Sequence, residues 1–487
     1  MDTTAYGRDR LATKATVVVA LVAMAETLID GSGLGAVTGG FALAWLAMLV
    51  ATRRALVKVA AARQAAIAAA LFALVLVDDP SLLAWAMFSI ALSMAALLPR
   101  RGFDDALVWA VRLARHAFAG VISPVRDLAR VAAIRDARRA GAGAGGVQAV
   151  IRVLVLPLGG GAIFLALFAS ANPLIDQAFA QIVLPDTWTV VWRILLAAVV
   201  IVGAWTSLRP SAAATRIARA ADRPPLAALD PGVATVILSL VTFNAIFLIE
   251  NVLDLVFLWS GAGLPAGVTM ADYAHRGAYS LIVTALLAAL FVLVALRPDS
   301  AGARSPAVRR LVALWIGQTL MLVASSALRT LDYVDAYGMT SLRLSALAWM
   351  GLVATGLALI GWRLLAGRSA AWLINANALA ATIVLTLASV IDLGATAAGW
   401  NARIALTHGK SGPPLDLCYM ARLGPSALVS LATLERHARA PGLRDRLAWL
   451  RWQAQVDVIH AQANWRSWTV RDARRLGAVA DRPAAPI

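Results

Sequence analysis

Cysteine is almost missing from this chain. Cys418 stands alone among 487 residues, so no disulfide can close within it. Histidine is scarce too, and His116, His275, His408, His437 and His460 lie too far apart to give the ligand spacing of a zinc site. Charged residues make up 15% of the chain against 60% hydrophobic. With a mean hydropathy of +0.75, no ordinary soluble core could hide the apolar surface. The nucleotide-binding glycine loop and the G-x-S-x-G nucleophile elbow are missing as well, which removes the commonest sequence signs of catalysis.

What remains is a chain built for lipid. A membrane span needs about 20 mainly apolar residues. Eleven such segments are expected, near 15–29, 34–51, 65–78, 81–98, 148–170, 188–207, 232–258, 273–296, 311–328, 344–362 and 371–392. The fold class is therefore all-α, a polytopic transmembrane bundle over residues 1–392 with a helical tail at 393–487. The formal charge of +17 is no nucleic-acid signature, because most of the charge sits in short breaks between apolar spans.

Those breaks set the expected direction. The N-terminus and alternate loops near 52–64, 99–147, 208–231, 297–310 and 363–370 carry 26 basic residues, whereas the opposite short loops carry Arg329 and Arg343. Positive loops stay in the cytoplasm, so the N-terminus is expected inside and the tail outside, although the tail holds 13 basic residues of its own. Arg8, Arg10 and Lys14 before a run ending Ala23-Met24-Ala25 look like a signal peptide. We read that run as a retained first span. The 99–147 break includes a cytoplasmic amphipathic helix, expected to be broken near Pro124, that could lie on anionic lipid or serve as a solvated connector.

Polar residues inside lipid are costly, at about 2.5–3.5 kcal/mol for an ionised side chain on insertion scales, and so they mark candidate sites. In the seventh span Asn244, Glu250, Asn251 and Asp254 share an arc of about 120°. Folding spans seven and eight together brings Asp254 toward Arg276, which gives an expected salt bridge. Arg329, Asp332, Asp335 and Arg343 cluster at the next outer hairpin, with Arg329 and Asp332 spaced to pair along a helix. Asp392 and Arg403 should fall to the same side. Either these groups line a polar site or they fix helix packing. Asp30 and Asp78-Asp79-Pro80 are candidate metal or acceptor acids, equally readable as caps and turns. In the tail, Glu435 and Arg439 read as a surface pair, and a tryptophan-rich helix is expected from Leu443.

Several stretches carry a resemblance: YAHRGAYSLIVTALLAAL, YVDAYGMTSLRLSALAWM, LDLCYMARLGPSALVSL and NWRSWTVRDARR, with ETLIDGSGLGAVTGGFAL a looser fit. They are similar to the bacterial membrane family called domain of unknown function 4173, kin to the one numbered 4153. The resemblance runs nearly end to end. It points to Tyr273, Arg276, Gly277, Tyr337, Gly338, Thr340, Arg343, Asp416, Tyr419, Leu423 and Gly424, with His275 standing where the family pattern has arginine. It implies a bacterial cytoplasmic membrane and no particular reaction. The expected function is transport or an envelope role, with a sensor, scaffold or accessory subunit as the alternative and a lipid-linked sugar enzyme behind both. No cofactor is expected, and the expected partners are the bilayer and anionic lipid.

Overall fold

A computed structural model describes residues 3–29, 34–139, 187–210, 232–259, 305–409 and 412–481. Every regular element among them is helical, and none is a strand. The protein is an all-α, multipass membrane bundle. Its helices α1 (Thr3–Leu28), α2 (Ala36–Thr52), α3 (Ala55–Lys58), α4 (Ala60–Asp78) and α5 (Leu82–Leu97) are followed by the long α6 (Ala106–Arg139) and by α7 (Thr187–Leu208). Next come α8 (Val233–Asp254), which runs into a π-helical turn at Leu255–Trp259, then α9 (Pro306–Tyr337), α10 (Ser341–Ala366) and α11 (Ala370–Val390). Among the described residues seven helices are long and apolar enough to cross a bilayer, and α2 and α5 are shorter apolar helices. The expected spans at 148–170 and 273–296 lie outside the described residues.

The expected break near Pro124 is not there, because α6 continues through it. A proline removes the N–H that would bond the carbonyl four residues back. Here that carbonyl belongs to Gly120, and the Ser123 hydroxyl donates to it at 3.4 Å.

Packing divides the chain into two compact units. The first comprises Met1–Leu74, Phe88–Phe103 and Val111–Ile217, and the second Val75–Met87, Asp104–Ala110 and Ala218–Ile487. In the first unit α1 packs along both α7 and α2. The Trp45 ring fills the space that a side chain at Gly203 would need, since a Cβ there would sit 2.6 Å from it. Its indole N–H donates to Ser207 Oγ at 3.2 Å. Small residues at such crossings let helices close up in lipid, where no hydrophobic force drives them together. At the C-terminal end of α7, Arg53 donates to the Ser207 carbonyl and Arg100 to that of Pro210. Cations there complement both the orphan carbonyls and the helix dipole.

The second unit is organised by α8 and α9. Trp315 of α9 packs between Phe243 and Phe247 of α8, at ring-centroid distances of 5.4 and 5.6 Å. Beside it runs an amide seam in which Gln318 donates to Asn244 Oδ1 at 2.9 Å, Asn244 to the Leu311 carbonyl at 3.1 Å, and Asn251 to the Gln318 carbonyl at 3.2 Å. These neutral groups bond one another across the interface, although Asn251 Oδ1 and Gln318 Oε1 stay buried without a hydrogen-bond partner among the described residues. Arg309 at the start of α9 donates to the Leu364 carbonyl at the end of α10, which brings two arginine-bearing breaks together. The Ala106 N–H meets Asn375 Oδ1 near the start of α11.

Past Asp392, which caps it, α12 (Leu393–His408) leads to α13 (Leu417–Arg422), a 3-10 turn at Gly424–Ala427, α14 (Leu428–His437), α15 (Pro441–Ala463) and α16 (Val470–Gly477). Their core joins Ala398, Met420, Leu431 and Leu447. Glu435 does not pair with Arg439, because α14 ends at His437 and the i, i+4 geometry ends with it. It meets Arg451 of α15 instead, at 2.7 Å, with both side chains buried.

Candidate functional site

Depth along α9 can be counted from its arginines. Arg329 is 20 residues beyond Arg309, about 30 Å of helix, which is the thickness of the hydrocarbon core. Arg329 therefore sits at the far boundary of that core. It forms a buried ion pair with Asp254, the last residue of α8, and lies 3.9 Å from Glu250 one turn inward. Asp254 and Arg329 are 2% and 8% exposed, whereas the Glu250 side chain is 48% exposed at the edge of the polar arc. Among the described residues the second oxygen of Asp254 is buried without a hydrogen-bond partner.

Of the two expected pairings, this arrangement corrects the one between Arg329 and Asp332. Arg276 lies outside the described residues, as do Tyr273 and Gly277, and the partner seen for Asp254 is Arg329. Arg329 in turn reaches across to α8 rather than along α9 to Asp332. The cue was present in the sequence as equal depth: Asp254 ends one span where Arg329 ends the next.

One turn beyond Arg329, the α9–α10 hairpin builds a second feature. The Tyr333 and Tyr337 rings meet at a tilt of 53° with centroids 4.8 Å apart, and the Arg343 guanidinium lies 4.1 Å above the Tyr333 ring. Arg343 also donates to the Gly338 carbonyl. Gly338 has φ +80° and ψ 171°, a region that glycine alone occupies readily, and a Cβ there would sit 2.9 Å from Asn401 Oδ1. Asn401 of α12 clamps the next peptide, accepting from the Met339 N–H at 2.6 Å and donating to its carbonyl at 2.9 Å. Thr340 caps α10, and the Tyr419 hydroxyl accepts from the Ser341 N–H at 2.8 Å.

These groups enclose a cavity of about 240 Å³, lined by Tyr337, Gly338, Thr340, Arg343, Asn401, Asp416, Tyr419 and Arg422 among others. Asp416 is occupied in capping α13 through the Tyr419 N–H. Arg422 lies 5.8 Å from the Tyr419 ring. The family-marked residues Tyr337, Gly338, Arg343, Asp416 and Tyr419, drawn from two distant motifs, thus surround one space. Each of them stands out within its own motif, but no sequence spacing joins the two motifs. Asp335 is exposed and Asp332 half-buried on the last turns of α9, and neither lines the cavity.

A third cluster, unexpected from the sequence, joins α16 to Asp78, Asp79 and Asp392. Arg471 of α16 donates to Asp78 at 3.0 Å, to Asp79 at 2.7 Å and to the Val390 carbonyl at 2.9 Å, and Arg474 meets Asp78 at 3.1 Å. Arg475 pairs with Asp392 and Asp472 and donates to Ser426 Oγ at 3.0 Å. Burial alone would raise the Asp392 carboxyl, but the Ala395 N–H and the Arg475 guanidinium hold it below the usual carboxylate range. The same carboxylates raise Arg475 against its own burial. The candidate acceptor acids Asp78 and Asp79 are thus engaged by arginine, and Asp30 lies outside the described residues. Three arginines in the VRDARR stretch were the available signal.

The family model that matches is the one described as Domain of unknown function (DUF4153), over residues 64–434. It is the expected family's relative rather than the family numbered 4173. The match covers the cavity residues and stops short of α15 and α16. No curated protein and no solved structure matches the chain.

Proposed function

Starting from the premise that the chain belongs to the family described as Domain of unknown function (DUF4153), we propose that this multipass membrane protein serves the cell envelope by recognising a small anionic group in the Arg343–Arg422 cavity. One observation carries the reading. Both arginines line the cavity and neither pairs with a carboxylate among the described residues, while the one acid at its wall, Asp416, is committed to a helix cap. Stacking on Tyr333 holds Arg343 in place before any ligand arrives, so little rotamer entropy remains to be lost on binding.

The same proposal includes the side. The arginine-rich breaks are cytoplasmic in a bacterial cell membrane, with the N-terminus inside and the cavity and the 393–487 tail outside. Support comes from contacts within each unit: Arg53 and Arg100 gather at one end of α7, Arg309 joins the end of α10, and α16 docks on Asp78, Asp79 and Val390, which belong to the opposite set of loops. Passage between α8 and α9 would require opening the Asp254–Arg329 pair and the amide seam. That closed seam favours, as a second reading, a sensor or scaffold that uses the tail over transport along this route.

Purified protein in lipid nanodiscs tests the recognition step. Millimolar inorganic phosphate or acetate should raise the unfolding temperature of the native protein, and R343Q/R422Q should weaken that response at least tenfold. An unchanged response in the variant would remove the cavity from the account. Repeated copurification with a partner protein, without any response to either anion, would favour the scaffold.

A further inference from the structure

The unbroken helix α6 has two opposite faces that the cavity does not use. At about 100° per residue, Arg112, His116, Gly120 and Asp127 form one stripe, and Val111, Phe118, Val121 and Ile122 form the stripe opposite. The first stripe is buried. The second is exposed, by 76% at Phe118 and 64% at Ile122. Arg115 and Arg126, both exposed, lie together along one flank.

The buried stripe also fixes the direction of α6 within the first unit. Gly120 touches α7 so closely that a Cβ would sit 2.3 Å from Thr206 Oγ1. Asp127 accepts from the Trp205 indole at 3.1 Å and pairs with Arg209 at 2.8 Å. The charges of Arg53 and Arg100, which donate to the Ser207 and Pro210 carbonyls, act on His116. Residues 120 and 127 lie about 10 Å apart along α6, yet both meet the short stretch 205–209 at the end of α7. Two helices running side by side would spread these contacts along both, so α6 crosses the arginine-rich end of α7 instead of running beside it.

We infer that α6 is an interfacial helix, with Val111, Phe118, Val121 and Ile122 in the acyl-chain boundary of the bilayer and Arg115 and Arg126 on the phosphates of acidic phospholipid. A lipid surface is the occupant that fits. The helix sits at the end of a membrane-crossing helix, its free face is apolar, and its flank is cationic, the combination that holds a helix in the plane of an anionic interface. Residues 106–124 are also apolar enough to cross the bilayer, and that alternative predicts a different depth profile.

Nitroxide labels distinguish them. In a C418S background, V111C, F118C and I122C place single labels on exposed positions, in vesicles of phosphatidylcholine with or without phosphatidylglycerol. All three labels should favour oxygen over a water-soluble nickel chelate and lie at one shallow depth, about 5–10 Å below the phosphates. A spanning α6 would instead spread V111C and I122C over about 16 Å of depth, and a solvated connector would leave all three open to nickel; either overturns the interfacial placement. Phosphatidylglycerol should lower nickel access at least twofold, and R115Q/R126Q should abolish that difference. Equal access in both lipids would overturn the acidic-lipid assignment.

Discussion

Asp254 and Arg329 carry opposite charges at the boundary of the membrane core, and each depends on the other. Removing one partner of a buried pair strands the remaining charge, at a cost of about 3–5 kcal/mol, whereas replacing both with apolar residues can be nearly neutral. Arg329→Met should be the more damaging single change, because it leaves Asp254 beside Glu250 without their shared cation. Asp254→Leu should cost less, since Glu250 stays 3.9 Å from Arg329. The D254L/R329M double variant should recover much of the loss in thermal unfolding in mild detergent. Losses that simply add would mean that the two residues do not act as a pair. The polar face of α8 was legible from residue spacing alone. The partner of Asp254 was not, because choosing among Arg276, Arg329 and Arg343 requires knowing which helices are neighbours.

Among the elements, α16 has eight residues and three arginines, and its docking rests on carboxylates. Asp392 has a folded-state pKa below its ordinary value. Its contribution is therefore complete above the unfolded value, about 3.9, and is lost as pH falls through the lower folded value. The hydrogen-exchange protection of the α16 amides should fall on acidification below about pH 4, and D392N should be less protected at neutral pH with a smaller acid response. A variant retaining the full acid response would assign the effect to other carboxylates. Helix positions for α2, α4, α5, α7, α10 and α11 were legible because lipid imposes length and apolarity on each span independently. The continuity of α6 was not, since Ser123 and Gly120 offset Pro124 through local geometry that periodicity does not report. Nor was the cavity, which closes residues 337–343 onto 401–422 through Asn401 and Tyr419, two contacts without a sequence period.

At the scale of the whole molecule, orientation and recognition are linked, because a cavity on the outer side meets envelope solutes and one on the inner side meets cytoplasmic ones. Exposed Cys418 lies on α13 beside the cavity wall, so an impermeant maleimide should modify it in intact cells. Modification confined to opened cells would reverse the sidedness. The most direct measurement is binding of radiolabelled phosphate to sealed right-side-out vesicles carrying either the native protein or R343Q/R422Q. The account predicts saturable binding from the outer side that the double variant loses. Equal binding by both proteins, or none by either, would contradict it.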